Sequence, residues 1–421
     1  MKNTATLLLL FFFGCAFAQS DTAQIVTPDR KNAAVTAEKP YVILISADGF
    51  RNDYVRKYKA THLQQLANSG VTATAMVPSY PSITFPNHWS LITGLYPAHH
   101  GLIDNFFYDY KRQQQYKMND KQIVEDGSWY GGVPLWSLAE QQGMISASMM
   151  WVGSASDAAG TRPTYYYPYH EKFTPAEKVE KVLNWLHLPE EDRPHFITLY
   201  FPEVDGNGHR FGPDSPETEA AVHMIDETVG RLVSKVKETG LPVNIIFVAD
   251  HGMIKVDREE TIEIPQVLTD KNRFDYYNSN TQLRIFVKDP AEIREVYREL
   301  NENKTEDYLV FLAEQFPGPL HFSKADDRYG RIGDIILMPK APKIFLEPGR
   351  NTSPGKHGYN PFEVTEMKSV FIANGPAFKT GTVITDFPNV DVYPIVADIL
   401  NLNISEPIDG TDSTANKILK K

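Results

Sequence analysis

The chain has 421 residues, of which 42% are hydrophobic and 23% charged, and its formal net charge is -11. This is an ordinary globular composition, and the length suits one large domain or a domain with an insertion. The acidic balance excludes the basic surface that binds a nucleic-acid duplex, so an anionic substrate would need a local source of positive charge, such as bound metal ions.

The first residues have the pattern of a secretory signal peptide. A basic Lys2 precedes an apolar run over residues 7–13, and the small-residue pattern AFA ends at Ala18. We predict a signal peptide over residues 1–18, cleaved after Ala18, because the apolar run is too short to span a membrane. Lipid attachment at Cys15 is the less favoured alternative, since the residues before it suit that modification poorly.

Cleavage after Ala18 would remove the only cysteine and leave a mature chain without thiols. An exported protein without disulfides is more typical of the bacterial periplasm than of an animal ectodomain. We therefore predict a periplasmic protein without a stable membrane span. Residues 19–39 are polar and aperiodic, and we expect a flexible leader there, ahead of a catalytic domain over residues 40–421.

Three apolar, β-branched segments predict buried strands. They are YVILIS from Tyr41, FITLYF from Phe196 and VNIIFV from Val243, and an acidic residue follows each of them. Helical segments such as AEKVEKVLNWL separate them, which favours a mostly parallel sheet with helices on both faces. In such α/β sheets the site lies beyond the carboxyl ends of the strands, so the acidic residues should converge there.

The pattern changes between His251 and His357 to short mixed strands and one helix, DPAEIREVYRELNEN. We interpret residues from about 255 to 345 as an inserted α/β subdomain. The main layer resumes with the apolar segment MKSVFIANGP and ends with the amphipathic helix VDVYPIVADILNL.

Carboxylate and imidazole side chains accumulate near glycines at the predicted strand ends. They are Asp48, Asp205, His209, Asp250, His251 and His357. Each one alone is compatible with an ordinary surface loop. Together they suit zinc, which binds Asp and His at about 2.0–2.2 Å, and six ligands are too many for one tetrahedral ion. Two ions sharing the six ligands is the simplest interpretation, and paired ions are typical of phosphoryl-transfer sites.

Thr84 lies in the segment SITFPNHWSLITG, where Pro86 suits the first turn of a helix. One interpretation makes Thr84 an N-cap, which contributes about 1 kcal/mol of helix stability. The other makes it a nucleophile whose alkoxide is stabilised by a metal ion and by the helix N-terminus. The residues alone leave both interpretations open.

Several segments resemble, in order, the nucleotide pyrophosphatase/phosphodiesterase family of the alkaline phosphatase superfamily. They are TFPNHWSLITGLYPAHHGLIDNFFYD, LYFPEVDGNGHRFGP, VADHGM and KHGYNPFEVTEMKSVFIANGPAFK. The match extends from about Tyr41 to Thr411. The resemblance implies an alkaline-phosphatase-like three-layer α/β/α sandwich with two zinc ions. It also implies hydrolysis of nucleotide phosphodiester or pyrophosphate bonds through a phospho-threonine intermediate, with release of a nucleoside 5′-monophosphate.

The resemblance also implies a role for individual residues. The implied ligands are Asp48, Asp250 and His251 for one zinc ion, with Thr84 beside it as nucleophile, and Asp205, His209 and His357 for the other. Asn105 would donate to a non-bridging phosphate oxygen, and Phe85 and Tyr200 would sandwich a nucleobase. The other histidines near Thr84, at positions 88, 99 and 100, are interpreted as supporting or surface residues, and His223 as structural.

The alternative within the same metal chemistry is a lysophospholipid or choline-phosphodiester phosphodiesterase. A phosphomonoesterase is less favoured because no Lys-X-Arg pair stands out to hold a dianionic phosphate. A sulfatase is disfavoured because Thr84 does not lie in a Cys/Ser-X-Pro-X-Arg context. A binding protein with structural metals would have no use for the Thr84 hydroxyl. Asp and His ligands also accept other divalent metals, and the sequence specifies no oligomeric state.

Overall fold

The structure is a computed structural model that describes residues 22–420. The predicted signal peptide and Cys15 lie outside these residues. The helices are α1 Tyr54–Lys57, α2 Thr61–Ser69, α3 Thr84–Thr93, α4 Pro97–His100, α5 Lys121–Glu125, α6 Leu135–Gln141, α7 Pro175–Leu186, α8 Glu203–Phe211, α9 Pro216–Glu238, α10 Ile293–Glu302, α11 Val392–Leu400 and α12 Ser413–Ile418. Within residues 22–420, none of the helices has the length and apolar character needed to cross a membrane.

The strands belong to one large central sheet, a second sheet and several two-stranded ladders. They are β1 Ile25–Val26, β2 Tyr41–Ala47, β3 Val71–Ala73, β4 Met76–Val77, β5 Phe106–Asp109, β6 Gln114–Lys117, β7 Ser146–Met149, β8 Tyr165–Tyr167, β9 Phe196–Phe201, β10 Val243–Val248, β11 Ile254–Lys255, β12 Ile262–Glu263, β13 Phe274–Asn278, β14 Leu283–Val287, β15 Tyr308–Leu312, β16 Ile335–Pro339, β17 Phe345–Leu346, β18 Gly355–Lys356, β19 Phe371–Asn374, β20 Thr382–Ile384 and β21 Phe387–Pro388.

The central sheet has the strand order β1-β8-β7-β9-β2-β10-β19-β3-β20. The five strands from β8 to β10 in this order are mutually parallel, whereas β19 runs antiparallel to both of its neighbours. The three strands predicted from the sequence are therefore adjacent at the centre, with β2 between β9 and β10. Strands buried on both faces need continuous apolar sequence, which is the pattern that predicted them.

Alternate residues of β2 face two separate cores, one on each side of the sheet. Val42 and Leu44 pack into a core that includes residues of α3, α6 and α11. Ile43 and Ile45 pack into another with residues of α2, α7 and α9. Because each such side chain stabilises the fold by about 1.5–3 kcal/mol when buried, both faces of the sheet must be covered. The predicted three-layer α/β/α sandwich is confirmed.

The second sheet has the order β13-β14-β16-β15 and is antiparallel throughout. It has its own apolar core, to which Leu283, Ile285 and Leu337 contribute, and helix α10 adds Val296 and Leu300. All of these elements lie inside the range from 255 to 345 that the sequence pattern indicated as an insertion.

Residues 22–39 differ from the flexible leader expected from the sequence. Ile25 and Val26 pair antiparallel with Tyr166 and Tyr165, so β1 forms an edge strand of the central sheet. Farther along, the Asn32 side-chain amide donates to two backbone carbonyls near residue 190, at 2.9 and 2.7 Å. Two residues are too few to show a strand period, and the open edge of β8 supplies the hydrogen bonds that hold them.

Candidate active site

Two of the predicted ligands follow adjacent parallel strands. Asp48 comes directly after β2 and Asp250 two residues after β10, and Ser46 pairs with Val248 in the register of these strands. His251 completes a buried cluster, with its Nε2 atom 2.9 Å from Asp250 Oδ2 and 3.5 Å from Asp48 Oδ1. We call Asp48, Asp250 and His251 the strand-end group.

Three other predicted ligands meet on the adjoining surface. Asp205 and His209 lie one turn apart on α8, so both point to the same side of the helix, and His209 Nε2 is 3.4 Å from Asp205 Oδ1. His357 follows β18 and places its Nε2 atom 3.0 Å from that of His209 and 3.7 Å from Asp205 Oδ1. We call Asp205, His209 and His357 the helix group. Asp205 is thus a helical residue, four positions beyond the end of β9, and not a strand-end residue as expected.

The two groups form one continuous cluster. The imidazoles of His251 and His357 stack with their ring centroids 3.7 Å apart. Ligand atoms of Asp205, His251 and His357 also lie within 4.8 Å of one another, as do those of the strand-end group. The six ligand-type residues singled out in the sequence are therefore brought together, although they come from segments more than 300 residues apart.

The cluster contains polar atoms that the protein leaves without hydrogen bonds. Among residues 22–420, no hydrogen bond satisfies the buried atoms Asp48 Oδ1, Asp205 Oδ1 or Asp250 Oδ2. Unpaired buried carboxylate oxygens are costly, and two facing imidazole Nε2 atoms cannot satisfy each other fully when both are unprotonated. A divalent cation accepts all of these atoms as ligands, so the donor set fits the zinc ions inferred from the sequence.

The ionisation of these residues is coupled through charge and burial. Burial raises the pKa of Asp48 well above its usual range, and the neighbouring carboxylates of Asp250 and Asp205 raise it further. Burial acts in the same direction on Asp250, but His251 and His88 hold its pKa well below the usual range. The pKa of His357 is well below the usual range because of burial and the adjacent imidazoles. Bound cations would favour the charged carboxylates and neutral imidazoles that serve as ligands.

Thr84 is the first residue of α3, and the N-cap position belongs to Ile83, which has no polar side chain to cap the helix. The Thr84 side chain makes no capping hydrogen bond, so the N-cap interpretation is wrong. Its Oγ1 atom instead lies 3.2 Å from His251 Nε2, against the strand-end group. The hydroxyl therefore faces the candidate metal ligands from a helix N-terminus, where a phosphate is also favoured.

Asn105 supplies the cap that Ile83 cannot. The backbone N–H of Phe85 donates to Asn105 Oδ1 at 2.9 Å. Because an N–H donor must face the amide oxygen, the orientation of the side chain is determined, and its NH₂ group points away from Phe85. Asn105 is thus held beside the helix N-terminus that carries Thr84.

His88 has a larger part in the site than the sequence indicated. It is fully buried one turn after Thr84, with Nδ1 2.9 Å from the Thr84 carbonyl oxygen and 3.4 Å from Asp250 Oδ2. Its Nε2 atom is 2.8 Å from Ser46 Oγ. The four-residue spacing from Thr84 is the one indication the sequence carries, because it places both residues on one face of α3. The two other histidines near Thr84 have different partners: His99 Nδ1 is 2.7 Å from Asp409 Oδ2, and His100 Nε2 is 3.0 Å from Ser90 Oγ on α3.

A cavity of about 730 Å³ extends outward from Asp48 and Thr84, and Phe85 and Tyr169 contribute aromatic walls to it. Tyr200, the second residue predicted to stack on a nucleobase, also lines this cavity, but its ring is mostly buried. It is 6% exposed near the end of β9, and its hydroxyl donates to Asp48 Oδ2 at 2.6 Å. Tyr169, from the loop after β8, is 54% exposed. Sequence reasoning missed Tyr169 because its segment, YYYPY, gives no indication of which ring reaches the cavity.

Comparisons with known proteins indicate the family to which the chain belongs. Residues 42–360 match the family model described as type I phosphodiesterase / nucleotide pyrophosphatase. The chain is 33% identical over 402 residues to mouse ectonucleotide pyrophosphatase/phosphodiesterase family member 1, covering 91% of this chain and 43% of the relative. It is 34% identical over 391 residues to the venom phosphodiesterase of Naja atra, covering 90% of this chain and 46% of that protein. The chain thus spans less than half the length of these relatives.

Solved structures give the same result for the fold. Murine ectonucleotide pyrophosphatase/phosphodiesterase 5 superposes with a TM-score of 0.82 at 27% identity, covering 90% of this chain and 100% of that chain. An inactive variant of the same murine protein, in complex with AMP, superposes with a TM-score of 0.83 at 27% identity, covering 91% of this chain and 100% of that chain. On the family match and these relatives, the chain belongs to the type I phosphodiesterase/nucleotide pyrophosphatase family.

Proposed function

We propose that the chain is a dizinc phosphodiesterase that cleaves nucleotide phosphodiester or pyrophosphate bonds and releases a nucleoside 5′-monophosphate. The observation that carries the proposal is the Thr84 hydroxyl at a helix N-terminus, 3.2 Å from a histidine of a six-ligand cluster. The family match and the names of the relatives support the same reaction class.

The strand-end group would hold one zinc ion together with Thr84 Oγ1, and the helix group would hold the other. When bound, the two ions would offset the carboxylate charge, lower the pKa of the hydroxyl and of an attacking water, and neutralise the phosphoryl oxygens. This resolves the difficulty of an acidic protein that acts on an anion.

The chain itself supplies the nucleophile in this proposal. Thr84 Oγ1 loses its proton to solvent and attacks phosphorus, the bond from phosphorus to the leaving-group oxygen breaks with its electron pair on that oxygen, and a phospho-threonine diester results. A water molecule then attacks phosphorus from the opposite side, the bond to Thr84 Oγ1 breaks, and the hydroxyl is regenerated as the nucleoside 5′-monophosphate leaves. His88 would keep α3 and Asp250 in register by contacting both.

Asn105 would donate from its amide NH₂ group to a non-bridging oxygen of the phosphate, since its Oδ1 atom is occupied by the N–H of Phe85. Phe85 and Tyr169 would hold the nucleobase between aromatic walls of the cavity, with Tyr200 supporting Asp48 beneath it. The AMP complex of the murine relative supports a nucleotide as the ligand.

The same proposal includes the organisation and location of the protein. Residues 40–421 would form the catalytic domain, with the second sheet as the inserted subdomain of about 255–345. Export through the predicted signal peptide agrees with the names of the relatives, one an ectonucleotide enzyme and one a venom enzyme. A bacterial periplasmic location remains a prediction from the sequence.

The test is the hydrolysis of a p-nitrophenyl nucleotide diester by the zinc-loaded protein and its Thr84→Ala variant. We expect Thr84→Ala to keep its zinc and its melting temperature but to lose at least about 10³-fold in kcat, because the nucleophile is removed. Thr93→Ala, at the other end of α3, is the matched control and should retain activity. Wild-type turnover by Thr84→Ala would refute the nucleophile.

The substrate class is tested by comparing ATP, a dinucleotide and lysophosphatidylcholine with the same enzyme. We expect turnover of the two nucleotides. Hydrolysis of the lipid alone would contradict the nucleobase walls and favour the lysophospholipid alternative.

A further inference from the structure

Two buried arginine–aspartate pairs join β14 and the loop before β16 to the segment that contains Asn105. Arg284 of β14 places Nη2 3.2 Å from Asp104 Oδ2, and Arg331 places Nε 2.8 Å from Asp109 Oδ2. All four residues are 3% exposed or less. Removing one partner from a buried pair leaves an uncompensated charge, so these contacts constrain the segment strongly.

The Asp104 carboxylate links Arg284 to the backbone of Asn105. Its Oδ1 atom accepts the backbone N–H of Asn105 at 2.7 Å, whereas its Oδ2 atom accepts from Arg284 and, at 3.4 Å, from Gln282 Nε2. Arg284 Nη2 also donates to the Phe106 carbonyl at 3.4 Å. The residues on both sides of Asn105 are therefore bonded to one guanidinium group.

Asn105 is also held by two residues that line the cavity, Met118 and Phe85. Its carbonyl accepts the N–H of Met118 at 3.1 Å, and its side-chain oxygen accepts the N–H of Phe85. The direction of its NH₂ group thus depends on three anchors: Phe85, Met118 and the Asp104 carboxylate. Only the last of these is tied to the second sheet.

We propose that Arg284 is a positioning residue for the reaction and that it acts through Asp104 on Asn105. The second sheet thereby sets the direction in which Asn105 donates to the phosphate, although it contributes no residue to the metal cluster. This inference rests on the proposed function, specifically on Asn105 as a phosphate donor. A misplacement of about 1 Å in such a donor can lower the rate by roughly 10²-fold. Loss of the contact between Arg284 and Asp104 should therefore have a measurable effect on the rate.

The test is a double-mutant cycle on the zinc-loaded enzyme with a nucleotide diester as substrate. We expect Arg284→Lys, which keeps the charge but not the forked geometry, to lower kcat/KM by roughly 10- to 100-fold, mostly through kcat. In the Asn105→Ala background, the same substitution should change kcat/KM by less than about twofold, because the donor it positions is gone. Zinc content should stay unchanged in each variant.

Arg331→Lys is the matched control, since it alters an equally buried pair on the same segment that does not bond to Asp104. Arg284 Nη1 donates to the backbone carbonyl of Arg331 at 3.2 Å, and this carbonyl is present in the variant as well. Its effect on kcat/KM should be the same whether or not Asn105 is present. If Arg284→Lys fails to fold, Asp104→Asn replaces it in the cycle and should show the same dependence on Asn105.

The possible results separate the inference from the proposed function. An effect of Arg284→Lys that is equal in both backgrounds would overturn the positioning role and leave the proposed reaction intact. Unchanged kcat/KM in Asn105→Ala alone would overturn the phosphate-donor role of Asn105, and the inference would fall with it.

Discussion

The strand-end group and the helix group use the same ligand types but are built differently. Asp48, Asp250 and His251 have side chains that are 0–2% exposed, whereas His209 is 31% and Asp205 is 17% exposed. The first group follows two hydrogen-bonded parallel strands, and the second combines one face of α8 with His357 from the distant β18 segment. The difference indicates that the strand-end group is preorganised by the central sheet, while the two α8 members of the helix group are partly exposed and His357 is 9% exposed.

The supporting contacts differ at the carboxylates. Buried side chains surround those of the strand-end group: the Tyr200 hydroxyl bonds Asp48, and His88 lies against Asp250. The imidazoles of both groups are oriented by backbone carbonyls, since Nδ1 lies 2.9 Å from the Gly252 oxygen in His251, 2.8 Å from the Gly355 oxygen in His209 and 3.0 Å from the Ser82 oxygen in His357. Such outer contacts fix ligand orientation and typically change metal affinity by 10- to 100-fold when lost. We therefore expect a substitution in the strand-end group to lower metal affinity and activity more than a substitution in the helix group.

The largest effect is expected from Asp250→Asn. This variant removes a ligand from the preorganised group and should lose one of two bound zinc ions and at least about 10³-fold in kcat/KM, since a catalytic metal supplies several kcal/mol of transition-state stabilisation. Metal analysis by mass spectrometry and steady-state kinetics measure both quantities. Excess zinc should not restore the activity, and full restoration would contradict the rigid character of this group.

A smaller effect is expected from His209→Ala in the exposed group. Water can replace an imidazole at an open position, so the activity lost at stoichiometric zinc should return when zinc is added in excess, as mass action requires. Kinetics across a zinc titration measure this response. His223→Ala is the matched control, because His223 also lies one turn after an acidic residue, Glu219, at 3.8 Å on α9. Activity that zinc does not restore in His209→Ala would remove the distinction between the groups.

The smallest effect concerns the stability of the metal-free protein. Burial and neighbouring carboxylates raise the pKa of Asp48 above its ordinary value of 3.8. The folded state then binds more protons than the unfolded state, so this residue lowers the stability of the folded state as pH rises from about 4 towards its folded pKa. In chelator, Asp48→Asn should therefore melt higher than the wild type by roughly a few degrees, by a margin that grows with pH in this window.

With zinc present, the order of the two melting temperatures should reverse. The variant lacks one metal ligand, so bound zinc stabilises its folded state less than that of the wild type. Differential scanning fluorimetry with and without chelator measures both series. A margin independent of pH would show that ionisation of the buried Asp48 carboxyl does not lower the stability of the folded state.

The sequence alone determined the central layer of this protein and the chemical type of its site. Continuous apolar runs predicted β2, β9 and β10, because strands that are buried on both faces of a sheet are apolar at nearly every position. Acidic residues close to the ends of parallel strands converge by topology, so the meeting of Asp48 and Asp250 follows from the strand pattern itself. The resemblance to the family added the order of motifs that makes Thr84 and Asn105 candidates for function.

Only the tertiary structure decided which polar groups face one another. It turned Thr84 from a possible cap into a hydroxyl against His251, and it joined residues 22–39 to the sheet edge. It buried the ring of Tyr200 and left the ring of Tyr169 exposed at the cavity. It also placed Arg284 against Asp104 across 180 residues of chain. A local sequence pattern shows which residues of a helix or strand are buried. The direction of a loop side chain and the partner of a buried charge depend instead on contacts between segments that are distant in the chain. No local pattern records those contacts.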